Sequence, residues 1–441
     1  MEIMNNLIYK IIGTSSGNTM MLKGTTTIHI IGEGKIEGKT DKNDIKEEIK
    51  KKIEKKIYLS YRKGYEKPIE LKRGETRETL DEKIKDQFYN PKKVDETQEK
   101  VITQFQYPKR QTNNNNPFHN HHKRKVPPEK YDEPIIDQKK RFKQDFGELK
   151  NITIQKEPLS PISPPSPIIM KQQMKQQVTT KKCIVSDAGW GCMLRSAQMM
   201  MAEVYRQIYL TTNFTQAKQN HILRMFMDKP NKPYSIHQLA MRGELLFQKQ
   251  IGKWFGPAEA AELLQQISKP EKTGFVTYVA SSSTIVRKEL KEAFKGCTNK
   301  PLLLLLPCMM GLDQIHRTYY KKMIGLMRHP QCMGFIGGKP NQAMYFMGVQ
   351  GDNFFALDPH KVQLASSWNA EHVHTNKIRQ LNIKQLDPCV TFGFLLNDEQ
   401  QLNAFYAWMI QYDITCGEKP LFAVRDEPID MKNISLDDFA L

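Results

Sequence analysis

No apolar run in this 441-residue chain approaches the ~18 residues that a membrane-spanning helix needs. The longest, Leu302–Leu312, contains Pro307 and stops at Asp313. The first residues, Met1-Glu2-Ile3-Met4-Asn5-Asn6, lack the basic stretch that opens a secretory signal. The seven cysteines are an odd number and none stands in a Cys-x-x-Cys pair, which argues against both a disulfide framework and a structural zinc site. Phosphate-binding glycine loops are missing too: Gly32-Glu33-Gly34 with Gly38 has the wrong spacing and reads as a turn between strands. Hydrophobic residues make up only 39%, so part of the chain should stand outside any core. The expectation is a reduced, cytoplasmic, monomeric protein that uses neither metal nor cofactor.

The net charge of +18 is unevenly spread. Residues 72–182 hold +9 of it, with 11 of the 24 prolines and no Cys or Trp. They include Asn113-Asn114-Asn115-Asn116, His121-His122-Lys123-Arg124-Lys125 and Lys171-Gln172-Gln173-Met174-Lys175-Gln176-Gln177. Such a stretch has too little apolar surface to offset the entropy of ordering, and it reads as a disordered insertion. With few aromatics to stack on bases, the basic excess does not predict nucleic-acid binding. Lys123-Arg124-Lys125 reads as a solvated run or a short nuclear address, and Ser160, Ser163 and Ser166, each before a proline, as phosphorylation sites or plain spacer. The chain thus divides into residues 1–71, the insertion 72–182, a main part 183–425 and a flexible acidic tail 426–441.

All four tryptophans and all seven cysteines follow residue 182. There, Met193–Leu210 reads as a helix and Ala258–Ile267 as another, entered through Gly256-Pro257. Leu302–Leu306, closed by Pro307, fits a buried strand. Met344–Val349 and Phe354–Leu357 read as a hairpin around the four residues 350–353. Upstream, Lys46–Arg62 reads as a helix belonging to the same domain. Helices beside an antiparallel sheet indicate an α+β class.

Two stretches could carry chemistry. In Ser186-Asp187-Ala188-Gly189-Trp190-Gly191-Cys192-Met193-Leu194-Arg195 a cysteine stands where a glycine-flanked loop becomes a helix. A thiol at a helix N-terminus meets the positive end of the macrodipole and unpaired N–H groups, which favour thiolate. The alternative is a small buried hydrophobe. Leu357-Asp358-Pro359-His360 puts a carboxylate and an imidazole on one side of an extended segment, either as an orienter and base or as a polar turn.

Together with Gly334-Phe335-Ile336-Gly337-Gly338-Lys339-Pro340-Asn341, these stretches resemble the autophagins, the autophagy-related protein 4 cysteine proteases. Tyr58-Leu59-Ser60-Tyr61-Arg62-Lys63, Tyr234-Ser235-Ile236-His237-Gln238, Gly252-Lys253-Trp254-Phe255-Gly256-Pro257 and Leu386-Asp387-Pro388 follow in the family's order. The resemblance implies a papain-like fold with an extra small lobe. It implies cleavage after a C-terminal glycine of ubiquitin-like modifiers of the autophagy-related protein 8 family, and their release from phosphatidylethanolamine during transient contact with autophagic membranes. It makes Cys192 the nucleophile, His360 the base and Asp358 the orienting carboxylate, with Tyr61 helping to hold the oxyanion. Trp254 becomes a cover over the cleft in a mobile loop with Gly256 and Pro257, although a large aromatic beside Gly-Pro also suits core packing. A catalytically weak modifier-binding scaffold is the alternative. Met344 departs from the family, where a His is common, and implies altered packing beside the site. Asp437-Asp438-Phe439-Ala440-Leu441 is one residue short of the family's C-terminal docking motif, whereas Tyr9-Lys10-Ile11-Ile12 has its spacing and also reads as a core strand.

Overall fold

The computed structural model describes residues 28–36, 48–49, 51–72, 74–84, 184–210, 215–268, 273–281, 283–295, 300–368, 372–375, 377–416 and 421–427. In chain order its strands are β1 (Ile28–Ile30), β2 (Gly34–Ile36), β3 (Arg62–Lys63), β4 (Val276–Val279), β5 (Thr284–Val286), β6 (Leu302–Met309), β7 (Cys332–Lys339), β8 (Gln342–Gln350), β9 (Asn353–Leu357), β10 (Gln363–Leu364), β11 (Arg379–Asn382), β12 (Cys389–Leu396) and β13 (Ala423–Arg425). Nine of them form one sheet in the order β11-β9-β8-β7-β12-β6-β4, with β1 paired to β8 and β2 to β1. Neighbours are antiparallel except β4 and β6. With helices packed beside it, the α+β expectation holds.

The leucine run supplies the centre of this sheet, and Leu302–Leu306 are fully buried. The strand does not close at Pro307 but runs on to Met309. Because β4 pairs only with Leu302–Leu305, β6 has a single neighbour beyond that point, and a residue without an N–H is tolerated there. The hairpin is tighter than read: β8 and β9 meet through Gly351 and Asp352 alone, with Gly351 at φ 54°. Against β7 and β8 lies the helix Cys192–Leu210, buried along nearly its whole length. Its charged side chains are buried as ion pairs: Lys56 and Arg206 meet Glu203, and Arg206 also meets Glu33.

Three boundaries are corrected. Lys46–Arg62 is helical only towards its start; residues 57–61 are extended and lead into β3, because Ile57, Leu59 and Tyr61 are all drawn into the core and no helical face could bury them together. The insertion read from residue 72 opens with an ordered helix, Arg77–Ile84. Leu80 and Ile84 are buried, and Asp81 accepts from the buried Arg242 at 2.6 Å, so a few apolar residues amid charge suffice to dock one helix. At the other end Asp426 and Glu427, read as part of the tail, pair with Arg287 and Lys288. The insertion from residue 85, the tail from 428 and the Tyr9–Ile12 stretch lie outside the described residues. Among the described residues no helix is long and apolar enough to cross a membrane.

Leu80→Ala should lower stability by about 2–5 kcal/mol in urea unfolding, the cost of a cavity at a site with 1% exposure. A change within ~0.5 kcal/mol would return Leu80 to the flexible insertion.

Candidate active site

Cys192 is the first residue of its helix, so its N–H and the next amides have no acceptor within the helix. The loop before it is built on Asp187. The Asp187 carbonyl accepts from Trp190 and Gly191, and its carboxylate accepts from the Arg62 amide, the Tyr65 hydroxyl and Arg195 Nε at 2.6, 2.6 and 2.7 Å. Gly191 sits so close that a β-carbon there would stand 2.8 Å from the Asp187 side chain. Arg195 also reaches Asp228 at 2.9 Å, and all three charged groups are buried. Two buried carboxylates around one buried guanidinium therefore fix where the helix begins.

His360 arrives from the opposite direction, just beyond β9. Asp358 Oδ1 accepts from the His360 amide at 3.0 Å and contacts Nδ1 at 2.5 Å. Asp358 Oδ2 accepts from Arg379 Nε at 2.7 Å. His360 Nε2 is buried without a hydrogen-bond partner, and the Cys192 thiol is near enough that each group shifts the other's proton affinity. Tyr61 closes the cluster. Its ring meets the imidazole edge-on at 5.3 Å, and its backbone is strapped between the Pro359 carbonyl and the Gln363 amide. Tyr58 donates its hydroxyl to the Asp358 carbonyl at 2.9 Å.

Burial on its own raises the Cys192 thiol, yet the neighbouring His360 and Tyr61 side chains and the Ala343 amide override it and hold the thiol below its usual range. Three other cysteines, Cys308, Cys332 and Cys389, are all pushed up by burial, Cys332 to about 12. Burial also disfavours imidazolium, but Asp358 and Cys192 bring His360 up to about 9. Asp358, in spite of burial, is held down to about 2 by His360 and Arg379. The Tyr61 phenol is driven up by burial and by the neighbouring Cys192 charge, so it remains a neutral donor. A thiolate beside an imidazolium, with a neutral hydroxyl in reach, is a nucleophile with its proton carrier in place.

Trp254 is 52% exposed, which removes the core-packing reading. Its indole N–H donates to the Gly189 carbonyl, in the loop that carries Cys192. Gly256 is the N-cap and Pro257 the first residue of the helix Pro257–Ile267, with the Glu259 carboxylate accepting from the Gly256 amide at 2.7 Å. Met344 is buried opposite Gly337, beside Ala343. Sequence reading missed Arg379, Asp228 and the Ala343 amide. Arg195 carried one signal, as a cation in the first turn of a helix rich in Met and Ala.

A family model for the peptidase C54 catalytic domain matches residues 46–407. The chain is 31% identical over 250 residues to "Probable cysteine protease ATG4" of Coccidioides immitis, covering 53% of this chain and 58% of that protein. It is 34% identical over 230 residues to "Probable cysteine protease atg4" of Schizosaccharomyces pombe, covering 51% and 69%. To "Cysteine protease atg4" of Emericella nidulans it is 29% identical over 273 residues, covering 58% and 67%. The chain thus spans little more than half of the first of these relatives and about two thirds of the other two.

Arg195→Met should cost about 3–5 kcal/mol at neutral pH, because two buried carboxylates lose their cation. In urea titrations the deficit should shrink on acidification, as the Asp228 carboxyl, whose proton affinity burial raises, takes up a proton; a deficit independent of pH would point to packing alone.

Proposed function

The chain belongs to the peptidase C54 family of papain-like cysteine proteases, and from that membership we propose that it hydrolyses the bond after a C-terminal glycine of a ubiquitin-like modifier of the autophagy-related protein 8 family, from a protein precursor and from phosphatidylethanolamine alike. What carries the reading is that the Cys192 thiol is lowered where those of Cys308, Cys332 and Cys389 are raised, and that the lowering comes from an imidazole backed by a carboxylate.

In this reading the Cys192 thiolate attacks the glycine carbonyl carbon and the carbonyl electrons move to oxygen. That oxyanion takes hydrogen bonds from the Tyr61 hydroxyl and the Cys192 N–H. Collapse breaks the C–N bond, and the leaving amine takes the proton from His360 Nε2. The neutral imidazole then deprotonates a water, whose oxygen attacks the thioester. Thiolate leaves, and the glycine carboxylate is released. Asp358 keeps Nδ1 protonated, so that Nε2 is the atom that gives and takes the proton. Since only an amine has to leave, a peptide and a lipid headgroup are equivalent to the site. Selection falls on the acyl side, where a slot covered by Trp254 passes glycine and collides with a β-carbon.

The direct test is incubation with a modifier extended by one residue beyond its glycine, with products read by mass spectrometry. Cleavage after the glycine is expected, with Cys192→Ala and His360→Ala at least ~10⁴-fold slower. Undiminished turnover by Cys192→Ala would end the assignment. Tyr61→Phe should lower kcat about 10²-fold without unfolding the protein. In the pH profile the reactive pair exists where the thiol has lost its proton and the imidazole has kept one. Activity should therefore be present well below the usual thiol range and fall as pH rises through about 9, where His360 deprotonates.

A further inference from the structure

From the register of the outer strands we infer that Arg379 is a positioning residue for this site, acting on His360 through Asp358. The inference rests on the thiol-protease reading above and adds to it a residue outside every motif that reading used. β11 pairs antiparallel with β9, and Arg379 lies opposite Ala356. Side chains two apart along a strand share a face, so Asp358 is the diagonal same-face neighbour of Arg379, at a separation that a long side chain spans. The guanidinium crosses that diagonal and puts Nε 2.7 Å from Asp358 Oδ2.

The geometry divides the carboxylate between two tasks. Oδ1 is given wholly to His360, through its amide at 3.0 Å and Nδ1 at 2.5 Å. Oδ2 is given to Arg379. A carboxylate held on one oxygen can rotate about its own axis and trade oxygens with water; one held on both cannot. The Asp358 side chain is 18% exposed and that of Arg379 is 37%, so the ion pair sits at the edge of the site, where water would otherwise compete for Oδ2. Arginine suits the position because it stays charged at every working pH and presents its donors in a rigid plane. The groups that face Asp358 are His360 on its own segment, Arg379 from β11 and the Tyr58 hydroxyl, which donates to the Asp358 carbonyl; beyond His360 lie Cys192 and Tyr61.

Two measurements on the full chain test this. The first is the pH dependence of Cys192 alkylation by iodoacetamide, which reads thiolate directly and needs no substrate. The second is steady-state cleavage of the glycine-extended modifier. In Arg379→Met the alkylation midpoint on the acid side should move up by about one pH unit, since Asp358 now takes a proton at higher pH and can no longer hold the imidazolium. Cleavage at neutral pH should lose about 10–100-fold in kcat with KM changed less than twofold. Arg379→Lys should recover part of both, restoring charge without the fixed plane. A wild-type alkylation profile in Arg379→Met overturns the inference. So does an equal loss in Met and Lys variants that tracks a fall in thermal stability. If the wild-type chain alkylates with the expected profile yet cleaves no glycine-extended modifier, the substrate reading fails while the role of Arg379 stands.

Discussion

Burial disfavours both a thiolate and an imidazolium, and the surroundings of Cys192 and His360 work against it, holding the thiol below its usual range and bringing the imidazole up to about 9. Burial alone would leave a neutral thiol beside a neutral imidazole, as it does for the thiols of Cys308 and Cys332. Reversal comes from both sides. The helix start gives Cys192 unpaired amides, with the Tyr61 hydroxyl and Ala343 amide as further donors. Asp358 gives His360 a counter-charge that cannot leave. Each support is in turn fixed by an ion pair elsewhere, the buried Arg195 between Asp187 and Asp228 for the helix, the partly exposed Arg379 on Asp358 for the turn. Such pairs add little net stability, because desolvation cancels most of their attraction. Their value here is positional: a carboxylate that accepts from three directions leaves the loop on which Cys192 stands one arrangement.

What was legible in the sequence is what is local in the chain. The loop-to-helix junction at Cys192 shows itself through flanking glycines and a breaker-free run. The Asp358–His360 pair shows itself because two residues along an extended segment share a side. The Gly256-Pro257 entry is a capping pattern spelled out in four residues. Arg379 was invisible for a physical reason: nothing near it in sequence differs from an ordinary exposed arginine, and its meeting with Asp358 depends on the β9–β11 register. Asp228 was hidden likewise, since its partner lies on a helix that starts more than thirty residues earlier. The misread boundaries have the same origin. Lys46–Arg62 has enough helix formers to look helical along its length, but tertiary burial of Ile57, Leu59 and Tyr61 overrides propensity. Composition averaged over a long polar segment likewise concealed Leu80 and Ile84, which dock a single short helix at its edge.

Trp254 shows how lightly a surface aromatic can be held. An indole left 52% exposed forgoes much of the burial that would lock an aromatic into a core. What ties it down is one hydrogen bond to the Gly189 carbonyl. A bond of this kind contributes roughly 1 kcal/mol net, a factor of about five in an equilibrium. The two ends of its loop are by contrast well defined. Gly252 takes φ 96°, a conformation that a side chain would strain, and Gly256 caps a helix whose first turn is closed by Glu259. A short segment with firm ends and a weakly held centre suits the cover proposed for Trp254. The anchor is also the loop that carries Cys192, so in the proposed reading an incoming glycine tail would displace the indole from Gly189.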